Sequence, residues 1–243
     1  MLTGITRSIW ASLVAGGFTL AGAAFAQTAP DAKGVESKDA AWNAMNVEKV
    51  DALELVGDAE NGKAAYVEEC ATCHRPSGSG RPDGKIPQLA GQHDTVLIKQ
   101  LADIRAGRRD NPVMHPFSMK LIDAQELADV SVYLRGLPIP PGNGKGPGTE
   151  LAMGEKLYRR DCVRCHGERG EGSEAKFYPV LAGQHYEYLL RQIRDVAAGR
   201  RRNANPEMID VVEDYDDGEL QAVVDFVSRL QWPAGAGSDG GSQ

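Results

Sequence analysis

EECATCHRPSG, residues 68–78, places Cys70 and Cys73 three apart with His74 immediately behind them. The chain holds four cysteines, and the other two repeat the arrangement in RDCVRCHGERG, residues 160–170, as Cys162, Cys165 and His166. One chemistry must therefore serve both places.

The match extends well beyond the cysteines. A shift of 92 residues lays the first motif on the second without a gap and carries IPQLAGQH (86–93) onto YPVLAGQH (178–185). Gly62 and Tyr66 meet Gly154 and Tyr158, LIKQLADIRAGRR (97–109) meets LLRQIRDVAAGRR (189–201), and ELADVSVYLRGL (126–137) meets ELQAVVDFVSRL (219–230). After an insertion of two residues NPVM (111–114) meets NPEM (205–208). A repeat of this length is one structural unit used twice. Pro and Gly crowd GLPIPPGNGKGPGTE, residues 136–150, and forbid regular structure there. The expected organisation is domain 1 at 57–137, a linker at 138–148, domain 2 at 149–231 and a Gly/Ser tail at 232–243. Residues 27–56 have no counterpart in the second copy; DAAWNAMNVEKVDALELV within them has the pattern of a short amphipathic helix.

Each copy reads as all-α. AENGKAAYVEECATCH and MGEKLYRRDCVRCH predict a helix running into each cysteine motif. QHDTVLIKQLADIRAG and its partner space apolar residues by three and four, and DAQELADVSVYLRGL does the same before stopping near Gly136. The Gly- and Pro-rich loops between are long for domains of about 80 residues unless they wrap something. Aromatic residues make up only 6% of the chain, so a buried cofactor would supply apolar mass that the side chains do not.

The N-terminus predicts export. Arg7 supplies a positive start, Ile9 to Gly22 an apolar core, and Ala24-Phe25-Ala26 a small-x-small cleavage signature, so residues 1–26 read as a signal peptide cut before Gln27. The expected location is the periplasm, with no transmembrane anchor after cleavage. In an exported compartment unprotected thiol pairs oxidise. The formal net charge of −7 is made of −3 over 27–56, −1 over 57–137 and −4 over 149–231, with Arg7, Lys145 and Asp239 adding +1 between them, and nothing in it suggests the basic patch that drives nucleic-acid binding.

Three chemistries use two cysteines at this spacing. A thioredoxin-like disulfide needs a βαβ setting that a helical chain lacks. A structural zinc site would need both motifs to meet across domains and has no use for a His after each pair. Covalent haem attachment uses every residue: Cys70 and Cys73, and Cys162 and Cys165, form thioether bonds to two haem c groups, and His74 and His166 become the proximal iron ligands. A thioether from Met fills the opposite position in electron-transfer haems and raises their potential. Met114 and Met208 end the repeated Asn-Pro-x-Met, 40 and 42 residues after their histidines, and are the expected sixth ligands. His115 and Met119 lie beside Met114 in NPVMHPFSMKL and compete for that place; a His ligand would give a low-potential haem.

On these residues each copy resembles a class I cytochrome c, and the pair resembles the tandem dihaem c-four type over residues 57–231. The resemblance implies that the first and last helices of each domain cross near Gly62 and Tyr133, and near Gly154 and Phe226. It also implies that Pro87 and Pro179 offer backbone carbonyls to the proximal imidazoles. The function it implies is a periplasmic electron carrier without catalysis of its own, taking electrons from one redox protein and giving them to another, such as a dehydrogenase and a terminal oxidase. A cytochrome subunit of a larger dehydrogenase, or a dihaem oxidoreductase with its own substrate, are the rival readings. Further candidates are His93 and His185, read as helix-start residues near the surface. Arg108, Arg109, Arg200 and Arg201 read either as haem propionate partners or as solvated helix-end charge. Arg159, Arg160, Arg164 and Arg169 cluster around the second motif and read as a solvated charged face ahead of a patch that would steer an acidic partner.

Overall fold

Short polar side chains start the helices by taking N–H groups that the first turn leaves unpaired. In the computed structural model, which describes Trp42 and residues 46–231, Asn46 caps α1 (Val47–Glu54) and Asp58 caps α2 (Ala59–Glu69). The predicted signal peptide, the tail at 232–243 and most of residues 27–45 lie outside the described residues. The first copy continues with α3 (Ala71–His74), α4 (Asp94–Arg105), α5 (His115–Ser118) and α6 (Ala124–Gly136), the last capped by Asp123. The second copy repeats the order with α7 (Leu151–Leu157), a π-turn at Tyr158–Cys162, α8 (Val163–His166), α9 (Tyr186–Ala197), α10 (Pro206–Val212) and α11 (Asp217–Val227). Among the described residues there is no strand, only an isolated bridge between Ser173 and Tyr178. The expected all-α class stands.

The first and last helices of each copy cross at glycine. A Cβ on Gly62 would lie 2.0 Å from the Asp129 carbonyl oxygen, and one on Gly154 2.0 Å from that of Ala222, so only hydrogen fits at either crossing. Beside each crossing an aromatic pair fills the core, Tyr66 with Tyr133 and Tyr158 with Phe226, both with ring centroids 5.5 Å apart. The buried tyrosine then donates its hydroxyl at 2.7 Å to the carbonyl of the residue after the motif histidine, Arg75 or Gly167. That bond fixes the Cys-x-x-Cys-His turn against the helix crossing. Tyr186, Leu189, Leu190, Ile193 and Val196 of α9 build one apolar face against α11, as the helical periodicity predicts.

The two copies meet along a seam of reciprocal hydrogen bonds. Gln92 accepts from Val180 N at 2.8 Å and donates to Val180 O at 3.0 Å, while Gln184, its counterpart, accepts from Gln88 N at 3.0 Å and donates to Gln88 O at 2.9 Å. His93 Nε2 donates to Glu171 O and His185 Nε2 to Ser79 O, each at 2.8 Å. Each of these partners is matched 92 residues away in the other half, so this part of the seam has an approximate two-fold symmetry. Residues 138–148 contain neither helix nor strand and lie fastened along the second copy. Asn143 donates to Gln184 O and Ser228 O, and Gly144 N donates to His185 Nδ1.

Candidate haem sites

The geometry of His74 restricts its chemistry. Its ring is 3% exposed, and Nδ1 lies 3.0 Å from the Pro87 carbonyl oxygen. A carbonyl only accepts, so Nδ1 carries the hydrogen and Nε2 is left as a bare lone pair. Nε2 is buried and has no hydrogen-bond partner among the described residues. Burial holds the imidazole below its usual pKa and keeps it neutral. In the second copy His166 makes the same contact with Pro179 O, at 3.3 Å, and burial lowers its pKa too. A neutral imidazole oriented by a backbone carbonyl, with its other nitrogen unspent, is what a metal ligand requires.

The cysteines stand on the turn before each histidine, Cys70 and Cys162 at the helix junctions and Cys73 and Cys165 within α3 and α8. Burial pushes the Cys70 thiol up to about 11 and that of Cys162 to about 12, so both are neutral. No three His, Cys, Asp or Glu side chains converge on a metal position among the described residues, and the zinc alternative has no site. The donor set present, two thiols and one carbonyl-oriented imidazole per copy, fits a covalently held haem.

Met114 is the residue that caps the four-residue α5, and Met208 is the third residue of the seven-residue α10. In the first copy the Asn111 side chain accepts from Met114 N at 3.1 Å; in the second, the Asn205 side chain accepts from Glu207 N at 2.9 Å, and Met208 N donates to Asn205 O at 3.0 Å. Met208 is half-buried against the apolar core of its domain, and Met114 is half-buried. The two competitors for the Met114 position face solvent: His115 is exposed and Met119 is 51% exposed.

Several secondary candidates resolve differently from their sequence reading. His185 is no surface residue: it is 2% exposed and spans the seam, and His93 spans it in the opposite sense. Arg109 donates to Tyr188 and Gln192 across the seam at 2.9 Å, and Arg201 donates to Gln100 at 3.0 Å, whereas Arg200, just past α9, pairs with Asp195 of that helix. Arg159, Arg160 and Arg164 are exposed and pair with Glu155, Asp161 and Glu207, as a solvated charged face does. The seam glutamines were not singled out in the sequence. Their signal was there, since the AGQH segment repeats outside any attachment motif.

Residues 59–138 match the family model described as Cytochrome c, and residues 149–227 match the one described as Cytochrome C oxidase, cbb3-type, subunit III. Cytochrome c4 of Thiocapsa roseopersicina is 34% identical over 186 residues, which span 72% of this chain and 94% of that protein. The chain belongs to the cytochrome c4 family. The thiosulfate dehydrogenase electron acceptor of Stutzerimonas stutzeri (strain A1501) is 33% identical over 73% of this chain and 90% of its own length. The crystal structure of reduced recombinant cytochrome c4 from Pseudomonas stutzeri superposes with a TM-score of 0.64 at 29% identity, covering 72% of this chain and all of that one. As in its c4 relatives, the two domains carry two covalently bound haem c groups, and the protein is a dihaem electron carrier.

Proposed function

We propose that this chain is a periplasmic carrier that takes electrons from a sulfur-compound dehydrogenase and passes them to a terminal oxidase. In this reading Cys70, Cys73, His74 and Met114 hold haem 1, and Cys162, Cys165, His166 and Met208 hold haem 2. The observation that carries it is the His74 ring, with Nδ1–H spent on Pro87 and Nε2 unspent, and the same Nδ1–carbonyl contact at His166 with Pro179. The relative named as a thiosulfate dehydrogenase electron acceptor supports a dehydrogenase as donor. Export to the periplasm rests on the N-terminal signal pattern; no helix among the described residues is long and apolar enough to cross a membrane. The bound haems supply the Fe(III)/Fe(II) couple.

The protein residues do the rest. Pro87 and Pro179 hold each imidazole in one tautomer and orientation, which keeps the ring fixed while charge at the iron changes. The seam bonds hold the two domains in one arrangement, so the path between them does not depend on diffusion of one domain past the other. The large apolar side chains exposed around Met114, namely Val113, Phe117, Met119 and Ile122, form the face to which we assign partner contact.

Redox titration of the holoprotein tests the ligand assignment. Two waves at positive potential are expected, and Met208→Ala should lower one of them and remove one haem's share of the weak sulfur-to-iron charge-transfer band in the red. Met114→Ala should do the same to the other. A band that survives Met114→Ala at full strength refutes that residue as a ligand.

A further inference from the structure

Helix α1 lies outside both stretches matched by the family models, yet it is built into domain 1. Lys49 is fully buried and Ala52 is 1% exposed, both within the apolar and polar packing of α4 and α6. Its most specific contact is Glu48, whose two carboxylate oxygens take the Arg105 fork, Oε2 from Nε at 2.9 Å and Oε1 from Nη2 at 2.7 Å. The Arg105 side chain is 12% exposed. A planar guanidinium held this way has its remaining donors aimed in a fixed direction.

Those donors point at the loop that carries Met114. Arg105 Nη1 donates to the Ser118 carbonyl and, at 2.8 Å, to the Leu121 carbonyl. Ser118 is 2% exposed and ends the single turn α5, in which Ser118 N donates to Met114 O at 2.8 Å. A turn of four residues has little helical stability of its own. Its last carbonyl, that of Ser118, takes its partner from Arg105, as does the Leu121 carbonyl just beyond the turn. A continuous set of contacts therefore runs from Glu48 through Arg105 and Ser118 to Met114.

The second domain has no such set. The position matching Arg105 is Ala197, and Met208 sits in α10, which has seven residues, Pro206 at its first position and Asn205 as its cap. The same Asn-Pro-x-Met is thus held by its own helix in one domain and from outside in the other.

We propose that Glu48 and Arg105 are positioning residues for the sixth ligand of haem 1, and that the N-terminal extension serves to hold them. The inference rests on Met114 being that ligand. It is tested on the dihaem protein with Glu48→Ala, Arg105→Ala and Glu48→Gln, using haem 2 as the internal reference. On warming, the charge-transfer band of Glu48→Ala should lose up to half its intensity, the haem 1 share, at temperatures where wild type keeps all of it. The haem 1 potential should fall while that of haem 2 stays in place. Arg105→Ala should give the larger loss, and the double variant no more than Arg105→Ala alone, because both act through one contact. Glu48→Gln, which keeps one acceptor, should give the same loss at smaller size. Unchanged band and potentials in Arg105→Ala would overturn the proposal, as would equal loss from both haems, which reports general destabilisation. Failure of the ligand assignment itself shows separately, as a full-strength band in Met114→Ala.

Discussion

The two seam histidines occupy the same place in the repeat but do unequal work, and substituting each one measures the difference. His185 Nδ1 accepts from Gly144 N at 3.1 Å, so the ring hydrogen is on Nε2, which donates to Ser79 O at 2.8 Å. Both nitrogens are used, and the ring is 2% exposed. His185→Ala removes two hydrogen bonds, each worth about 1 kcal/mol net, and strands polar groups that cost about 1–3 kcal/mol when left buried and unpaired. The expected loss is about 2–4 kcal/mol. His93→Ala removes the bond to Glu171 O at 2.8 Å from a ring that is only half-buried, and about 1 kcal/mol is expected. Urea unfolding of the holoproteins, followed by far-UV circular dichroism, gives the two values. Protease cleavage within residues 138–148 should quicken in His185→Ala, because Gly144 loses its acceptor. The pH dependence has a definite sign. Burial, chiefly, with Arg75 in the same direction and the Ser79 bond and Asp83 opposing, holds His185 below the usual histidine pKa. The unfolded chain then binds the proton more readily than the folded one, so this contribution is complete above about pH 6.5 and is lost as pH falls from there toward the lowered folded value. His185→Ala should flatten that region of the wild-type profile. Equal losses from the two substitutions, or unchanged cleavage between the domains, would refute the reasoning.

Further outcomes follow from the packing. Gly154→Ala puts a Cβ 2.0 Å from the Ala222 carbonyl oxygen and must push α7 and α11 apart; an overpacking cost of about 1–3 kcal/mol or more against a helix-propensity gain of about 1 leaves domain 2 destabilised by roughly 2 kcal/mol in the same unfolding assay, and a neutral result would mean that the crossing yields easily. Ile122 is 78% exposed on the face assigned to partner contact, so Ile122→Lys should change stability by less than about 0.5 kcal/mol and leave both potentials alone. Stopped-flow electron exchange with a dehydrogenase donor or an oxidase should nevertheless slow, and an unchanged rate with both would exclude this face.

What could be read in the sequence was whatever the chemistry ties to fixed spacing. Thioether attachment needs two thiols on the turn before the ligand, so Cys70, Cys73 and His74 announce themselves, and the copy at Cys162, Cys165 and His166 removes chance as an explanation. The glycine crossings were legible through the resemblance and are now explained by a distance. The repeated AGQH marked the seam's glutamines and histidines, but their pairing was not legible, because the acceptors are backbone carbonyls of Ser79, Gln88, Glu171 and Val180, which carry no side-chain signature, and the partners lie 78 to 106 residues apart. A histidine at a helix start looks the same in sequence whether it faces water or the other domain. The Glu48–Arg105 contact escaped for a related reason: an arginine near a helix end is usually solvated, and only the fold brings a carboxylate 57 residues away to its fork.

The repeat also narrows where any functional difference between the two haems can come from. The attachment residues, the carbonyls behind the imidazoles, the glycine crossings and the tyrosines beside them are the same in kind on both sides, and so cannot set the potentials apart by their identity. Other positions do differ, among them Tyr178, whose ring lies 6.3 Å from that of His166 where the first copy has Ile86. Arg105 stands opposite Ala197, His115 opposite Ile209 and Met119 opposite Glu213, and α1 covers domain 1 alone. The large exposed apolar side chains among the described residues likewise all fall between Val47 and Ile122, none in domain 2. Reduction potential responds to ligand fixation, nearby charge and solvent access. Each of these acts on domain 1 through a residue that the repeat does not share. Exchanging Arg105 and Ala197 between the domains should therefore move the two haem potentials toward each other, whereas exchanging the shared tyrosines for phenylalanine should shift both alike; potentials that stay as far apart after the Arg105–Ala197 exchange would place the difference elsewhere.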